Sequence, residues 1–378
     1  MRLKELFKKS FWKVIGTSLI LLAIFAIIQR FATGLGNTTN LSDSFPWGLW
    51  IGFDVMVGVG LAAGGFAVAS TVYVFKVERF RPILRPSILT AFLGYILVIV
   101  GLLCDLGKPW NIWHAMVYWN PHSVMFEVAW CVMLYTTVLF LEFLPVVLEK
   151  YNLLMPLKIM KKLTMLFVIV GVVLSTLHQS SLGSLFLVMP ARMHPLWYSN
   201  IIPFLFFISC VAAGLAMTVI ESFYSSRAFH KEIEMSLLSE LATWMVLVLG
   251  LYFIVRIQDL MSRDALQYAF DMTYQSKMFL LEIGMGVVLP FILLVHRKIR
   301  ESKIGLFYSS ILVVLGFIAH RINTATTAFE FMGKSYTPSW QEFAVTAGLV
   351  ATGFVAFSYI AKNFNIFNSN GESHATNH

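Results

Sequence analysis

Charge is scarce in this chain: Asp, Glu, Lys and Arg make up 13% of its 378 residues, against 58% hydrophobic residues. With a mean hydropathy of +0.75, that balance excludes a soluble domain. Cysteine is scarcer still. Cys104, Cys131 and Cys210 stand alone, without CxxC or ferredoxin spacing, so the chain is expected to carry no iron–sulfur cluster. A phosphate loop is also lacking, because the glycines of residues 58–65 are embedded in apolar sequence and match no nucleotide fingerprint. Axial haem ligation needs paired histidines on facing helices. His114, His122 and His194 fall in or beside loops of one side, and His230 and His296 on the other. Only His178 and His320 are placed where they could meet, so the pattern predicts a haem-free chain.

What the sequence does have is long apolar runs. Runs of about 20 residues recur, each long enough to cross ~30 Å of hydrocarbon. Ten spans are expected, at 12–32, 47–75, 86–104, 122–148, 159–178, 197–224, 237–256, 276–295, 304–321 and 341–361. The stretch Asp105–Pro121 is too short and too interrupted by Lys108, Pro109 and Pro121 to be another. The fold class is an all-α polytopic membrane protein. With a cytoplasmic N-terminus, the inner segments carry 20 of the 28 Lys and Arg, so the positive-inside rule puts both termini in the cytoplasm. The net charge of +8 therefore concerns orientation and not nucleic acid. Residues 12–32 follow a basic segment without a small-residue cleavage site and read as an uncleaved first helix.

The outer loops are dense in aromatics, Pro and His, as in Pro109-Trp110-Asn111-Ile112-Trp113-His114 and Tyr118-Trp119-Asn120-Pro121-His122. This exceeds an interfacial belt and points to a pocket or a docking surface. A weak repeat is visible too. Pro46-Trp47 precedes Leu61-Ala62-Ala63-Gly64-Gly65, and Pro195-Leu196-Trp197 precedes Val211-Ala212-Ala213-Gly214-Leu215. It predicts two parallel-repeat four-helix bundles, spans 2–5 and 6–9, with the first and last helices peripheral. Small residues in the second span suit close helix packing, and also a flat ligand beside Asp54.

Five carboxylates lie within the spans: Asp54, Glu127, Glu142, Glu221 and Glu282. Burying such a group costs roughly 2.5–3.5 kcal/mol on insertion scales, which invites a functional explanation. Glu127 and Glu142 share the fourth span, about 22 Å apart at 1.5 Å per residue and on one side of the helix. Cys131, Leu134, Tyr135 and Val138 lie between them. With Glu221 at a similar inner depth, the pattern suits a proton half-channel from Glu142 and Glu221 to Glu127, helped by Tyr135 or water. Glu240 either joins the inner group or is exposed. Glu282 is expected to form a structural ion pair with Lys277 or Arg256.

Phe45-Pro46-Trp47-Gly48-Leu49-Trp50-Ile51-Gly52-Phe53-Asp54 followed by Gly60-Leu61-Ala62-Ala63-Gly64-Gly65-Phe66 resembles the NrfD/polysulfide-reductase membrane-subunit family. Leu106-Gly107-Lys108-Pro109-Trp110, Asn120-Pro121-His122 and Leu177-His178-Gln179-Ser180-Ser181-Leu182-Gly183-Ser184 are similar to its HybB-type subgroup, from nickel–iron hydrogenases. The resemblance spans nearly the whole chain. It implies a haem-free subunit of a bacterial or archaeal cytoplasmic membrane that passes electrons between a ferredoxin-like iron–sulfur partner on the outer, periplasmic face and quinone (menaquinone or ubiquinone). The implied quinone neighbours are Asp54, His122, Glu127, Trp50 and Tyr118, and the implied proton carriers are Glu127, Glu142 and Glu221. The corresponding division is 1–46 for the N-terminus, first helix and outer loop, 47–178 for a quinone-binding bundle, 179–325 for the second bundle and 326–378 for the last helix and tail. Other partners, a molybdopterin or a cytochrome-linked reductase, stay open, as does a proton-coupled transporter.

Overall fold

In the computed structural model, the structure describes residues 2–229, 234–332 and 335–367. His230, Lys231 and Lys334, whose positions bear on the ligation and orientation arguments, lie outside the described residues. Ten long helices follow one another: α1 (Arg2–Thr33), α2 (Trp50–Tyr73), α3 (Arg81–Asp105), α4 (Val124–Lys150), α5 (Leu154–Ser184), α6 (Ile202–Phe229), α7 (Met235–Ser262), α8 (Tyr274–Val295), α9 (Lys303–Ala325) and α10 (Trp340–Asn363). Among the described residues there is no strand beyond an isolated bridge between Ser42 and Phe45. "Inner" below means the Lys/Arg-rich side.

Among the described residues, nine helices are long and apolar enough to cross a membrane. The expected span 159–178 falls in α5, which has the length but is not among the nine. Its apolar middle is bounded by Lys161 and Lys162 on one side and by His178 and Gln179 on the other. The stretch after α3 forms only short turns, Pro109–Asn111 and His114–Val117, as its prolines dictate. Helix starts are set by local chemistry. Ser123, Thr273 and Ser302 cap α4, α8 and α9, and Ser339 with Glu342 makes a full capping box on α10.

Burial orders the helices. The apolar windows of α2 and α6 are 72% buried, those of α1 and α10 only 17% and 22%. Helices α2–α5 pack in a ring, α6–α9 pack in another, and α1 pairs with α10 against α3. Helices α2 and α6 touch where the repeated motif predicts small residues. A Cβ on Gly214 would lie 2.5 Å from the Gly64 nitrogen, and one on Gly64 would lie 2.7 Å from the Gly214 carbonyl oxygen. Glycine at both places lets two backbones meet, which is how helices gain packing in lipid.

Two helices depart from regular geometry. Helix α2 opens with a π-helical turn, Trp50–Val57, and is interrupted at Ala62–Ala63; α8 contains a π-helical turn at Gly284–Val288. The helices at the repeat-related places, α6 and α4, run unbroken. The paired breaks that would favour a transporter are therefore not seen among the described residues. Helix α5 continues to Ser184, so the expected 178/179 boundary falls inside a helix, whereas 325/326 coincides with the end of α9.

Candidate functional site

Helices α4 and α5 enclose a file of polar side chains. Glu127, Cys131, Tyr135, Val138 and Glu142 are spaced by three or four residues and so share one stripe of α4. Ser181, His178, Ser175 and Gly171 present a matching series on α5. At the outer end, Ser181 Oγ donates to Glu127 Oε1 at 2.5 Å, with Cys131 beside them. In the middle, Tyr95 of α3 bonds His178 Nδ1 at 2.8 Å and meets the Tyr135 ring edge-on, 4.7 Å between centroids. Ser175 lies next to Tyr135. At the inner end, Glu142 Oε1 would be 3.2 Å from a Cβ on Gly171, so the carboxylate packs close against that glycine. The Tyr135 hydroxyl, Ser175 Oγ and His178 Nε2 are buried without a protein partner. Buried polar atoms of this kind are places for ordered water, which can carry protons between neighbours. Leu134 does not belong to the file: it is 43% exposed and faces outward. Its offset from the stripe, one residue before Tyr135, turns it about 100° away.

Glu221 sits elsewhere. Thr90 Oγ1 of α3 donates to its Oε2 at 2.9 Å, beside an inner cavity of about 130 Å³ lined by Ser222, Ser225 and Pro86. No hydrogen bond or ion pair joins it to Glu142 among the described residues. Glu240 is a surface residue paired with Arg79.

The five expected quinone neighbours separate into two groups. Asp54 and Trp50 are buried and turn toward α10: Thr346 Oγ1 donates to Asp54 Oδ2 at 2.7 Å, and Trp50 Nε1 donates to the Glu342 carbonyl at 3.3 Å. Asp54 also packs against Gly101, while Arg30 of α1 donates to the Cys104 and Leu106 carbonyls and so caps the end of α3. Tyr118, His122 and Glu127 are exposed at the outer surface, with Tyr118 edge-on to His114. No hydrogen bond or ring contact links the two groups among the described residues.

One expectation in the second bundle needs correction. Glu282 pairs with neither Lys277 nor Arg256. Its carboxylate takes His320 Nδ1 at 2.8 Å, Asn323 Nδ2 at 2.8 Å and Trp197 Nε1 at 3.0 Å, while Arg256 donates to the Leu196 carbonyl instead. His178 and His320 do not meet, because each Nδ1 is engaged inside its own bundle, one by Tyr95 and the other by Glu282. Neither Tyr95 nor the Glu282 cluster was anticipated. A lone tyrosine in the apolar run of α3 and the polar run His178-Gln179-Ser180-Ser181 were the available signals.

One loop beside the site carries a pH-sensitive latch. His194 is held below the usual imidazole range by burial, against the opposing pull of Asp271. Its Nδ1 accepts from the Leu196 amide at 3.2 Å, and its own amide donates to the Ala328 carbonyl at 2.7 Å. A lowered folded value means stability that is present above the unfolded value, near 6.5, and lost as pH falls toward the folded one. Deuterium exchange at the Leu196 and Trp197 amides, corrected for intrinsic rates, is expected to accelerate between about pH 7.5 and about pH 5.5. Constant protection across that window would remove His194 as the latch.

Comparison with known proteins now decides the family. The model described as "Polysulphide reductase, NrfD" matches residues 37–332, most of the chain. The chain belongs to the NrfD family. It is 32% identical over 345 residues, 90% of this chain and 88% of the relative, to the "Probable Ni/Fe-hydrogenase 2 b-type cytochrome subunit" of Escherichia coli (strain K12). It is 27% identical over 392 residues, 92% and 90% of the two chains, to the "Menaquinone reductase, integral membrane subunit" of Nitratidesulfovibrio vulgaris. It is 23% identical over 391 residues, 94% and 95% of the two chains, to the "Hdr-like menaquinol oxidoreductase integral membrane subunit" of Archaeoglobus fulgidus. These NrfD-type relatives are, by name, parts of oxidoreductases, and this chain is an integral membrane protein of the same family.

Proposed function

We propose that this NrfD-family chain is the quinone-coupling membrane subunit of a hydrogenase complex. Electrons pass between an iron–sulfur subunit on the outer, periplasmic face and quinone at the outer end of the first bundle; the chain is not catalytic alone. The polar file from Glu127 to Glu142 is the observation that carries this reading, because quinone reduction consumes protons as well as electrons. The quinone ring is assigned to the exposed surface of Tyr118, His122 and Glu127, where Tyr118 lies edge-on to His114. Asp54, closed in by Gly101 and bonded to Thr346, has a supporting role: with Trp50 it holds α2 on α10 behind that surface. Within this reading Glu127 exchanges protons with the quinone, while Glu142 and Glu221 take them up from the cytoplasm.

The pairwise packing of α2–α5 and α6–α9, together with the contact between Gly64 and Gly214, supports a parallel duplication of one four-helix unit. The relatives named as menaquinone reductase and menaquinol oxidoreductase subunits favour a second reading, the same quinone role serving another redox enzyme. Metal analysis of the complex that co-purifies in mild detergent separates them. Nickel with abundant iron is the expected result, and hydrogen-dependent quinone reduction then follows as the assay. Molybdenum or tungsten with iron would transfer the chemistry to another reductase, and a chain that purifies alone and without metal would sink both.

A further inference from the structure

The second bundle holds a polar centre that the quinone reading does not use. Glu282, enclosed by α6–α9, stands between two spaces. On one side is a buried cavity of about 30 Å³, lined among others by His320, Tyr252 and Ser209. It has room for one or two waters. On the other side Asn323, which donates to Glu282, lines a pocket of about 250 Å³ at the outer end with Thr326, Thr327 and Glu330. Thr327 Oγ1 donates to Asn323 Oδ1 at 3.0 Å, so an unbroken series runs from the pocket through Asn323, Glu282 and His320 to the cavity.

The proton positions along this series are specific. Opposite an ionised Glu282, His320 donates through Nδ1, which leaves the lone pair on Nε2. That Nε2 is buried and has no protein partner. The remaining groups that face the pair are the Arg256 and Arg321 guanidiniums and the Tyr252 phenol, with the Cys210 thiol against Arg321. Arg321 is held by the Phe206 carbonyl and Ser209, with its plane over Phe206 at 3.5 Å, and Arg256 by the Leu196 carbonyl. The Arg256 and Arg321 guanidiniums, each held by a backbone carbonyl, lie near this one carboxylate, which disfavours a metal cation there.

We propose that Glu282 and His320 form a proton-exchange site of the second bundle that opens to the outer face past Asn323. A proton taken up at His320 Nε2 lets Nδ1 pass its own proton to Glu282, which releases it to a water admitted from the outer pocket when the Asn323 side chain moves aside. Only N–H and O–H bonds change. The site is separate from the Glu127–Glu142 file, and its outward opening does not depend on the quinone reading, whereas its role in turnover rests on it.

The outward opening is tested by thiol labelling of the full chain in its native membrane. Cys104, Cys131 and Cys210 are all buried, so background is low. Asn323→Cys and Thr327→Cys, made singly, are expected to react with a charged, membrane-impermeant thiosulfonate added from the outer side, with Asn323→Cys about tenfold slower. Ser309→Cys, on the buried face of α9, is expected to stay unlabelled. If Asn323→Cys does not accumulate, Thr326→Cys replaces it, since that hydroxyl bonds only its own helix. Labelling at 327 without labelling at 323 or 326, or at none of them, overturns the opening. These readouts need no quinone turnover, so they succeed or fail independently of it. The proton role is tested by Glu282→Gln in sealed vesicles of the complex, where fewer protons are expected to move per electron. An unchanged ratio overturns it.

Discussion

Glu142→Gln in the assembled complex is expected to slow quinone-linked turnover in sealed vesicles by about tenfold to a hundredfold while quinone affinity stays the same, in line with the loss of a positioned proton carrier. Distance is the first reason. Glu142 lies about 22 Å along α4 from Glu127, too far to touch a quinone at the outer end. Its carboxylate is next to Tyr135 and Gly171, and among the described residues it forms no hydrogen bond that the amide would have to replace. The substitution therefore leaves packing intact and removes only the titrating proton. Binding is read by inhibitor titration, and turnover by quinone reduction with the cytoplasmic side enclosed. Equal rates for wild type and variant would exclude the α4–α5 file as the cytoplasmic route. A slowed Glu221→Gln in that case would move the entrance to the Thr90 cavity, which opens between α3 and α6 instead.

The membrane class and most of the span positions were legible because an apolar run long enough to cross lipid needs no tertiary information. The stripe of Glu127, Cys131, Tyr135 and Glu142 was legible for a related reason, since helix periodicity alone aligns it. Leu134 shows the resolution of that reasoning: one residue of offset turned a supposed file member toward lipid. Asp54 shows a different limit. Its neighbouring glycines pointed to a ligand surface, but the π-helical turn Trp50–Val57 changes the angular spacing, and the carboxylate turns to Thr346, 292 positions away. Glu282 was misread because its three partners lie 85, 38 and 41 residues distant. No local spacing encodes such a cluster; Lys277 is close only in sequence, and Arg256 belongs to the preceding helix. His178 was singled out only for its place near the end of a span, and its partner Tyr95 stands on α3, which carries no other mark in that stretch.

Gly214→Leu is expected to prevent accumulation of stable, monodisperse protein, whereas Gly16→Leu is expected to behave as wild type. A Cβ at position 214 would lie 2.5 Å from the Gly64 nitrogen, 2.7 Å from the Ala63 carbonyl carbon and 3.1 Å from the Gly64 Cα. All three atoms are backbone, so no side chain can rotate aside. The helices would have to separate, and with them the cluster of Val57, Ala63, Phe66, Cys210, Ala213 and Phe317 that fills the junction between the two bundles. Overpacking in a core usually costs about 1–3 kcal/mol and more where backbone must move. In a membrane there is little hydrophobic gain between helices to offset it, because lipid is as apolar as the side chains. Gly16 is the appropriate control, since nothing lies within 4 Å of a Cβ built there on the lipid-facing α1. Size-exclusion profiles and thermal unfolding in mild detergent distinguish the outcomes. A Gly214→Leu protein that elutes and melts like wild type would show that α2 and α6 do not depend on backbone contact, and the central place of the repeated motif would be lost with it.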